Sequence, residues 1–177
     1  MSKMPPPPAH SIWLKPAVED LAMLTGIVDR LAEEFGSPRF QPHLTLVEDM
    51  ARPAEELAPL VAEVAAAIPP FSAPVVEIGM SDLFFRSFYA RFDAAGPLLE
   101  LKKRAIGKIA ASPIDAFMPH ISLAYGLAEG PARSEARGRI AQFLNRRCIH
   151  FSTVAVVFSS KEIPIADWEV REEVRLG

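Results

Sequence analysis

Apolar and polar positions alternate in the same way at two places along this chain, PHLTLV at Pro42 to Val47 and PHISLAYG at Pro119 to Gly126. In a strand, residues two apart share a face. His43 and Thr45 therefore project together while Leu44 and Leu46 project oppositely, and His120 with Ser122 does the same against Ile121 and Leu123. Each run predicts a strand that buries aliphatic residues on one face and turns an imidazole and a hydroxyl to the other. Pro42 and Pro119 stand where the strands open, a position at which a missing N–H removes no donor from the middle of a ladder.

The pattern elsewhere fills in the rest. SIWLK at Ser11 to Lys15 predicts a first strand, and the following stretch spaces Leu21, Leu24, Val28, Leu31 and Phe35 as a helix that stops at Gly36. Further helices are predicted up to Ile68, over about 97–110 and over about 131–146. APVVEIGMSDLFFRSFYARFD predicts two strands around a turn at Ser81 and Asp82, and IHFSTVAVVFSS and DWEVREEVRL predict two closing strands. The second half resembles the first in element order, so the expectation is an α+β domain of two similar lobes, each a sheet with helices on one side. The likeness between halves lies in that order and in the H-x-[ST] signature. Residues 1–9, with prolines from Pro5 to Pro8, predict a disordered leader before a single domain at 10–177.

Composition narrows the chemistry. A chain of 177 residues is large enough to bury on the order of 70% of its unfolded surface. A net charge of −3 supplies no general field for gripping a long polyphosphate, so an anionic ligand should be small or held at one point. The single cysteine, Cys148, excludes an internal disulfide and is expected to be a small packed hydrophobe rather than a nucleophile. No apolar signal region follows the N-terminus, and the helical run at Leu57 to Ile68 is shorter than the roughly 20 residues a bilayer needs. A cytoplasmic protein without a membrane partner is expected.

One H-x-T alone reads as an ordinary half-buried strand. Two copies in matching context, taking two of the four histidines, point to shared chemistry. If the strands lie side by side or across a pseudo-two-fold axis, two imidazoles and two hydroxyls converge on one groove. Such a site suits phosphodiester cleavage, with one neutral histidine taking a proton from water and a protonated one giving a proton to the leaving oxygen. Thr45 and Ser122 would donate to the non-bridging phosphate oxygens. A metal site is the competing reading of two histidines, but H-E-x-x-H, H-x-H and paired cysteines do not occur, and neither motif brings the carboxylates that hard cations need. A G-x-S-x-G elbow for a serine triad does not occur either.

The blocks SIWLKP, GSPRFQPHLTLV, DLFFRSFYARF and FMPHISLAYG resemble, in order and spacing, the cyclic phosphodiesterases of plants and yeast within the two-histidine phosphoesterase superfamily. The resemblance implies a bilobal α+β fold, two lobes of antiparallel sheet with helices outside, related by a pseudo-two-fold around a central groove. It also implies opening of nucleoside 2′,3′-cyclic phosphates or ADP-ribose 1″,2″-cyclic phosphate to a monoester, with no metal and no cofactor. His43 and His120 would be the acid and base pair and Thr45 and Ser122 the phosphate ligands. For a 2′-phosphate product, the family suggests that His43 protonates the leaving oxygen while His120 activates water.

Tyr125 matches the tyrosine after the second motif, but it lies an odd number of residues from His120, so it needs a bend to reach the groove or else caps the strand end. Trp13 and Phe84 match aromatic positions beside the groove, where nucleobase stacking and core packing are both open readings. In a strand, only one of Phe84 and Phe85 can face it. Arg86 replaces an expected uncharged polar residue and either meets phosphate or extends into solvent; Arg39 either holds the approach loop or is simply exposed. The expected partner is a small cyclic-phosphate nucleotide, and the chain is expected to be a monomer. The alternatives are an enzyme of RNA ends, acting on a terminal 2′,3′-cyclic phosphate or a 2′-5′ linkage, and a module that binds nucleotide or RNA phosphate without turnover.

Overall fold

The computed structural model describes residues 8–177, and the leader expected over residues 1–9 lies, at residues 1–7, outside the described residues. Along the chain run β1 (His10–Pro16), α1 (Val18–Phe35), β2 (Leu44–Met50), α2 (Ala54–Ala66), β3 (Phe71–Met80), β4 (Phe88–Phe92), α3 (Gly96–Lys108), β5 (His120–Ala124), α4 (Pro131–Leu144), β6 (Cys148–Phe158) and β7 (Glu169–Arg175). α1 and α2 follow their apolar stripes. α1 buries Leu24, Ile27, Val28, Leu31 and Ala32, and ends at Gly36, whose φ of 69° is the left-handed cap that lets its N–H reach the Ala32 carbonyl. α2 carries Pro59 inside it and loses a backbone bond there, yet the helix runs through because Leu57, Val61, Val64 and Ala65 are buried.

The strands form one antiparallel sheet in the order β1-β2-β5-β4-β3-β6-β7, and β6 also pairs with β1, so the sheet curls back on itself. The class is α+β as expected, and the two lobes are halves of this single sheet. One half is β7-β6-β1-β2 and the other β5-β4-β3. They join through one pair, Leu44 with Ile121, and again where Phe71 to Pro74 of β3 meets Cys148 to Phe151 of β6. α1 packs on β5 and β1, α2 on β6 and β7, and α4 on β3. Leu44, Leu46, Ile121 and Leu123 are buried in the main core between these layers. The opposite face of β2 and β5 is left for the groove.

Two local expectations are corrected. The second strand of the β3–β4 hairpin begins only at Phe88, because residues 84–86 form a 3₁₀ turn in place of extended chain. Cys148 is exposed, not packed: it opens β6, where alternation turns Ile149 and Phe151 inward and Cys148 and His150 outward. No helix among the described residues is long and apolar enough to cross a membrane.

Candidate active site

The single Leu44–Ile121 pair is the centre of the pseudo-two-fold. Carrying the antiparallel register one residue either way sets His43 across from Ser122 and Thr45 across from His120. The two imidazoles are held alike. His43 Nδ1 lies 2.8 Å from the Gln41 carbonyl and His120 Nδ1 lies 2.9 Å from the Met118 carbonyl, in each case two residues back, across a proline. A carbonyl only accepts, so both rings carry their proton on Nδ1 and keep a lone pair on Nε2.

The neighbouring strands repeat the symmetry. Ser11-Ile-Trp13-Leu-Lys15 of β1 corresponds to Ser87-Phe-Tyr89-Ala-Arg91, which leads into and runs along β4. Trp13 pairs with Thr45 and stacks on His43, with ring centroids 3.4 Å apart and planes 3° from parallel. Tyr89 pairs with Ser122 and meets the His120 ring at 5.3 Å and 66°. Each imidazole is thus pressed by an aromatic from the adjacent strand. At the strand ends, Lys15 pairs with Glu173, and Arg91 with Glu77 at 2.7 Å.

Both motif strands then bulge at the same place. The register slips between Ile12 and Trp13 against β2, and between Phe88 and Tyr89 against β5. Consequently two consecutive residues in each strand, Leu46 with Val47 and Leu123 with Ala124, enter the core. The next residue returns to the groove, Glu48 in one half and Tyr125 in the other. The bulge in β5 is the bend that Tyr125 requires. Side chains take up the backbone carbonyls freed there: Lys102 Nζ donates to Leu46 O at 2.6 Å and the Ser87 hydroxyl to Ala124 O at 3.2 Å.

A cavity of about 480 Å³ opens over these residues, and the four motif residues, Tyr125, Trp13 and Phe84 all line it. Phe84 and Phe85 both do so, against the expectation that only one would, because the 3₁₀ turn abolishes strand alternation. Phe84 is 50% exposed and offers a free face. Trp13 does not: it is 3% exposed, with one face spent on His43 and its ring meeting the edge of Trp168, so it walls the site and leaves no face for a base. Arg86 lines the cavity, whereas Arg39 is exposed and paired with Asp29 at 3.0 Å.

The sequence reading missed Tyr89, Glu48, Lys161 and Trp168. The Trp168 ring lies 6.0 to 6.3 Å from those of Trp13, His43, Phe85 and Tyr125, on the loop before β7. Its signal was weak, one tryptophan in a polar stretch. Aligning HLTLVE with HISLAY sets Glu48 at the place of Tyr125, but only the bulge in β2 turns it into the groove.

Burial dominates the electrostatics. It lowers the His43 pKa to about 3, with the Gln41 carbonyl opposing it and His120 and Lys15 adding to the fall. His120 is lowered by burial too, opposed by the Met118 carbonyl; Arg86 lowers it further and Glu48 raises it. Burial also pushes the Tyr125 phenol up, so it stays protonated as a donor. Both imidazoles are therefore neutral at physiological pH, with Nε2 ready to accept a proton. The Ser122 hydroxyl donates to Phe85 O at 2.8 Å, tying the second motif to the aromatic turn. Among the described residues no group of three or more His, Cys, Asp or Glu side chains is placed to hold a metal ion.

Comparison with known proteins agrees with this architecture. The model of the 2′-5′ RNA ligase superfamily matches residues 6–158. A cyclic phosphodiesterase of Arabidopsis thaliana is 23% identical over 116 residues, which span 66% of this chain and 64% of that protein's own length. Among solved structures, Escherichia coli LigT complexed with ATP superposes with a TM-score of 0.62 at 15% identity, covering 97% of this chain and 99% of that one. LigT complexed with phosphate gives 0.59 at 14% identity, with coverage of 97% and 99%. TT0787 of Thermus thermophilus gives 0.61 at 20% identity, covering 95% and 97%. At such identities the structures establish the fold. With the paired motifs in one cavity and the family model running through both of them, the chain belongs to the 2′-5′ RNA ligase superfamily, the two-histidine phosphoesterases.

Proposed function

We propose that the protein is a metal-independent cyclic phosphodiesterase that opens nucleoside 2′,3′-cyclic phosphates or ADP-ribose 1″,2″-cyclic phosphate to the monoester. The observation that carries this reading is the pair of imidazoles related about the Leu44–Ile121 bridge, each pinned through Nδ1 and each flanked by a motif hydroxyl. One Nε2 takes a proton from water as its oxygen attacks phosphorus. The bond from phosphorus to one ring oxygen breaks, and that oxygen receives the proton carried on the other Nε2. Thr45 and Ser122 donate to the non-bridging oxygens, for which the Ser122 hydroxyl turns away from Phe85 O.

The assignment implied by the resemblance gives the acid role to His43, the base role to His120 and a 2′-phosphate to the product. Since burial holds His43 near 3, its Nε2 takes up a proton from solvent as the substrate binds, because the phosphate's negative charge beside it favours the imidazolium. The similarity to a protein named cyclic phosphodiesterase supports the opening of a cyclic phosphate.

The test is turnover of the four nucleoside 2′,3′-cyclic phosphates and ADP-ribose cyclic phosphate in excess chelator, with the product's phosphate position read by phosphorus NMR. His43→Ala and His120→Ala should each lower kcat by about 10²-fold or more. Activity that vanishes with chelator and returns with metal overturns the metal-free mechanism. Near-normal turnover by either variant overturns the acid and base pair.

A further inference from the structure

We infer that Arg86 and Lys161 form a second anion subsite in the cavity, and that the substrate carries a second phosphate, joined through a sugar to the cyclic phosphate that reacts. The inference rests on the proposed reading of the histidine pair. Two imidazoles and two hydroxyls already surround one phosphate. Arg86 and Lys161 line the same cavity in addition, and among the described residues neither forms an ion pair. Cations kept without a carboxylate at the wall of a ligand cavity are placed for a phosphate oxygen.

Both are presented by turns whose backbone is already fixed. Arg86 closes the 3₁₀ turn; its N–H reaches Leu83 O at 3.1 Å and its carbonyl accepts from the Ser81 hydroxyl. The neighbouring carbonyls are also occupied, Phe84 O by Gly126 N–H at 2.9 Å and Phe85 O by Ser122. Lys161 follows Ser160, whose hydroxyl accepts from the N–H groups of Glu162 and Ile163 at 3.1 and 3.2 Å, while Ser11 holds the Ser159 carbonyl at 3.2 Å. Little ordering of the backbone is left to oppose binding.

The extent of the second anion is bounded too. Glu48 and Asp49 also line the cavity; neither pairs with Arg86 or Lys161, but their charge cancels that of the two cations over the cavity as a whole. With a net charge of −3 over the whole chain, that balance suits one compact additional phosphate or diphosphate and disfavours a long polyanion.

The test compares kcat/KM for uridine 2′,3′-cyclic phosphate with that for its 5′-phosphorylated form, for ADP-ribose 1″,2″-cyclic phosphate, and for a dinucleotide ending in a 2′,3′-cyclic phosphate. The wild type should prefer the compounds with the second phosphate by tenfold or more. Arg86→Gln with Lys161→Gln should abolish that preference, losing at least tenfold more on the 5′-phosphorylated nucleotide than on the plain one. A larger gain for the diphosphate compound identifies a small substrate, and an equal gain for the dinucleotide identifies an RNA end; either supports the second-phosphate subsite. Equal losses on all substrates, or no preference in the wild type, overturn it. Calorimetric affinities for adenosine 2′-phosphate and adenosine 2′,5′-bisphosphate decide the subsite without turnover. Should no cyclic phosphate be opened, the proposed activity fails while a bisphosphate preference lost in the double variant still upholds the subsite, and an equal affinity for the two ligands overturns it.

Discussion

Trp13 lies face to face with His43, centroids 3.4 Å apart and planes within 3°, and this contact takes the place of water on one side of the imidazole. The stack follows from the register of β1 on β2, in which Trp13 sits opposite Thr45. Removing the ring should have two consequences together. Trp13→Ala should cost about 3–5 kcal/mol of stability, as for other buried aromatic truncations. It should also let water reach His43 and raise its pKa from about 3 toward 6.5, visible as a titration of its ring protons by NMR. Trp13→Phe should keep most of both properties. An unmoved His43 titration in the alanine variant would show that the stack does not desolvate the ring.

The same burial makes stability depend on pH. In the unfolded chain His43 protonates near 6.5, whereas in the folded protein it resists protonation down to about 3. Between those values the unfolded state binds the extra proton, so stability is full above 6.5 and falls as the solution becomes more acid. For this one group the loss is about 2 kcal/mol between pH 6.5 and 4.5. His43→Leu removes the titration. Denaturant melts of both proteins across that range should show wild-type stability falling relative to the variant, and parallel curves would refute the assignment.

The parts of this fold that are periodic were legible in the chain. The seven strands and four helices of the described residues follow from alternation, helical spacing and Pro or Gly punctuation, and the facing of His43 and Thr45 against Leu44 and Leu46 is alternation alone. What alternation could not give was set where regular geometry stops. The bulges after Thr45 and Ser122 depend on the partner strand's register, so Glu48 and the bend at Tyr125 came from pairing. The 3₁₀ turn at Phe84 is tied by Ser122 and Gly126, residues far along the chain, which is why two adjacent phenylalanines both reach the cavity. Trp168 and Lys161 lie on a loop whose place is fixed by the last strand's pairing with β6. Tyr89 is set against His120 by its pairing with Ser122, a relationship that alternation along its own strand does not carry.

Glu48 and Arg86 act on His120 with opposite sign, the carboxylate raising its proton affinity and the guanidinium lowering it. Glu48→Gln should therefore move the limb of the pH–rate profile that belongs to His120 to lower pH, and Arg86→Gln should move it to higher pH. The double variant should return close to the wild-type position, since the two effects oppose each other. The profile of kcat/KM, which reports the free enzyme, is the one to measure. Shifts in the same direction for both single variants would mean that neither charge acts on His120 through space.

Gly79 on β3 sits opposite Tyr89, and a Cβ at that position would run into Tyr89 Cζ and lie 2.6 Å from its hydroxyl oxygen. The ring that packs on His120 therefore lies over a glycine, and no methyl group fits beneath it. Gly79→Ala must push the Tyr89 ring aside, and that ring packs on the His120 imidazole. The expected cost is about 1–3 kcal/mol of stability, as for other overpacked sites, accompanied by a fall in kcat as the His120 ring shifts from its place in the cavity. Tyr89→Leu in the same chain should relieve the clash, so the double variant should be more stable than the sum of the single effects implies. Strict additivity of the two substitutions in both stability and kcat would show that Gly79 does not act through the tyrosine.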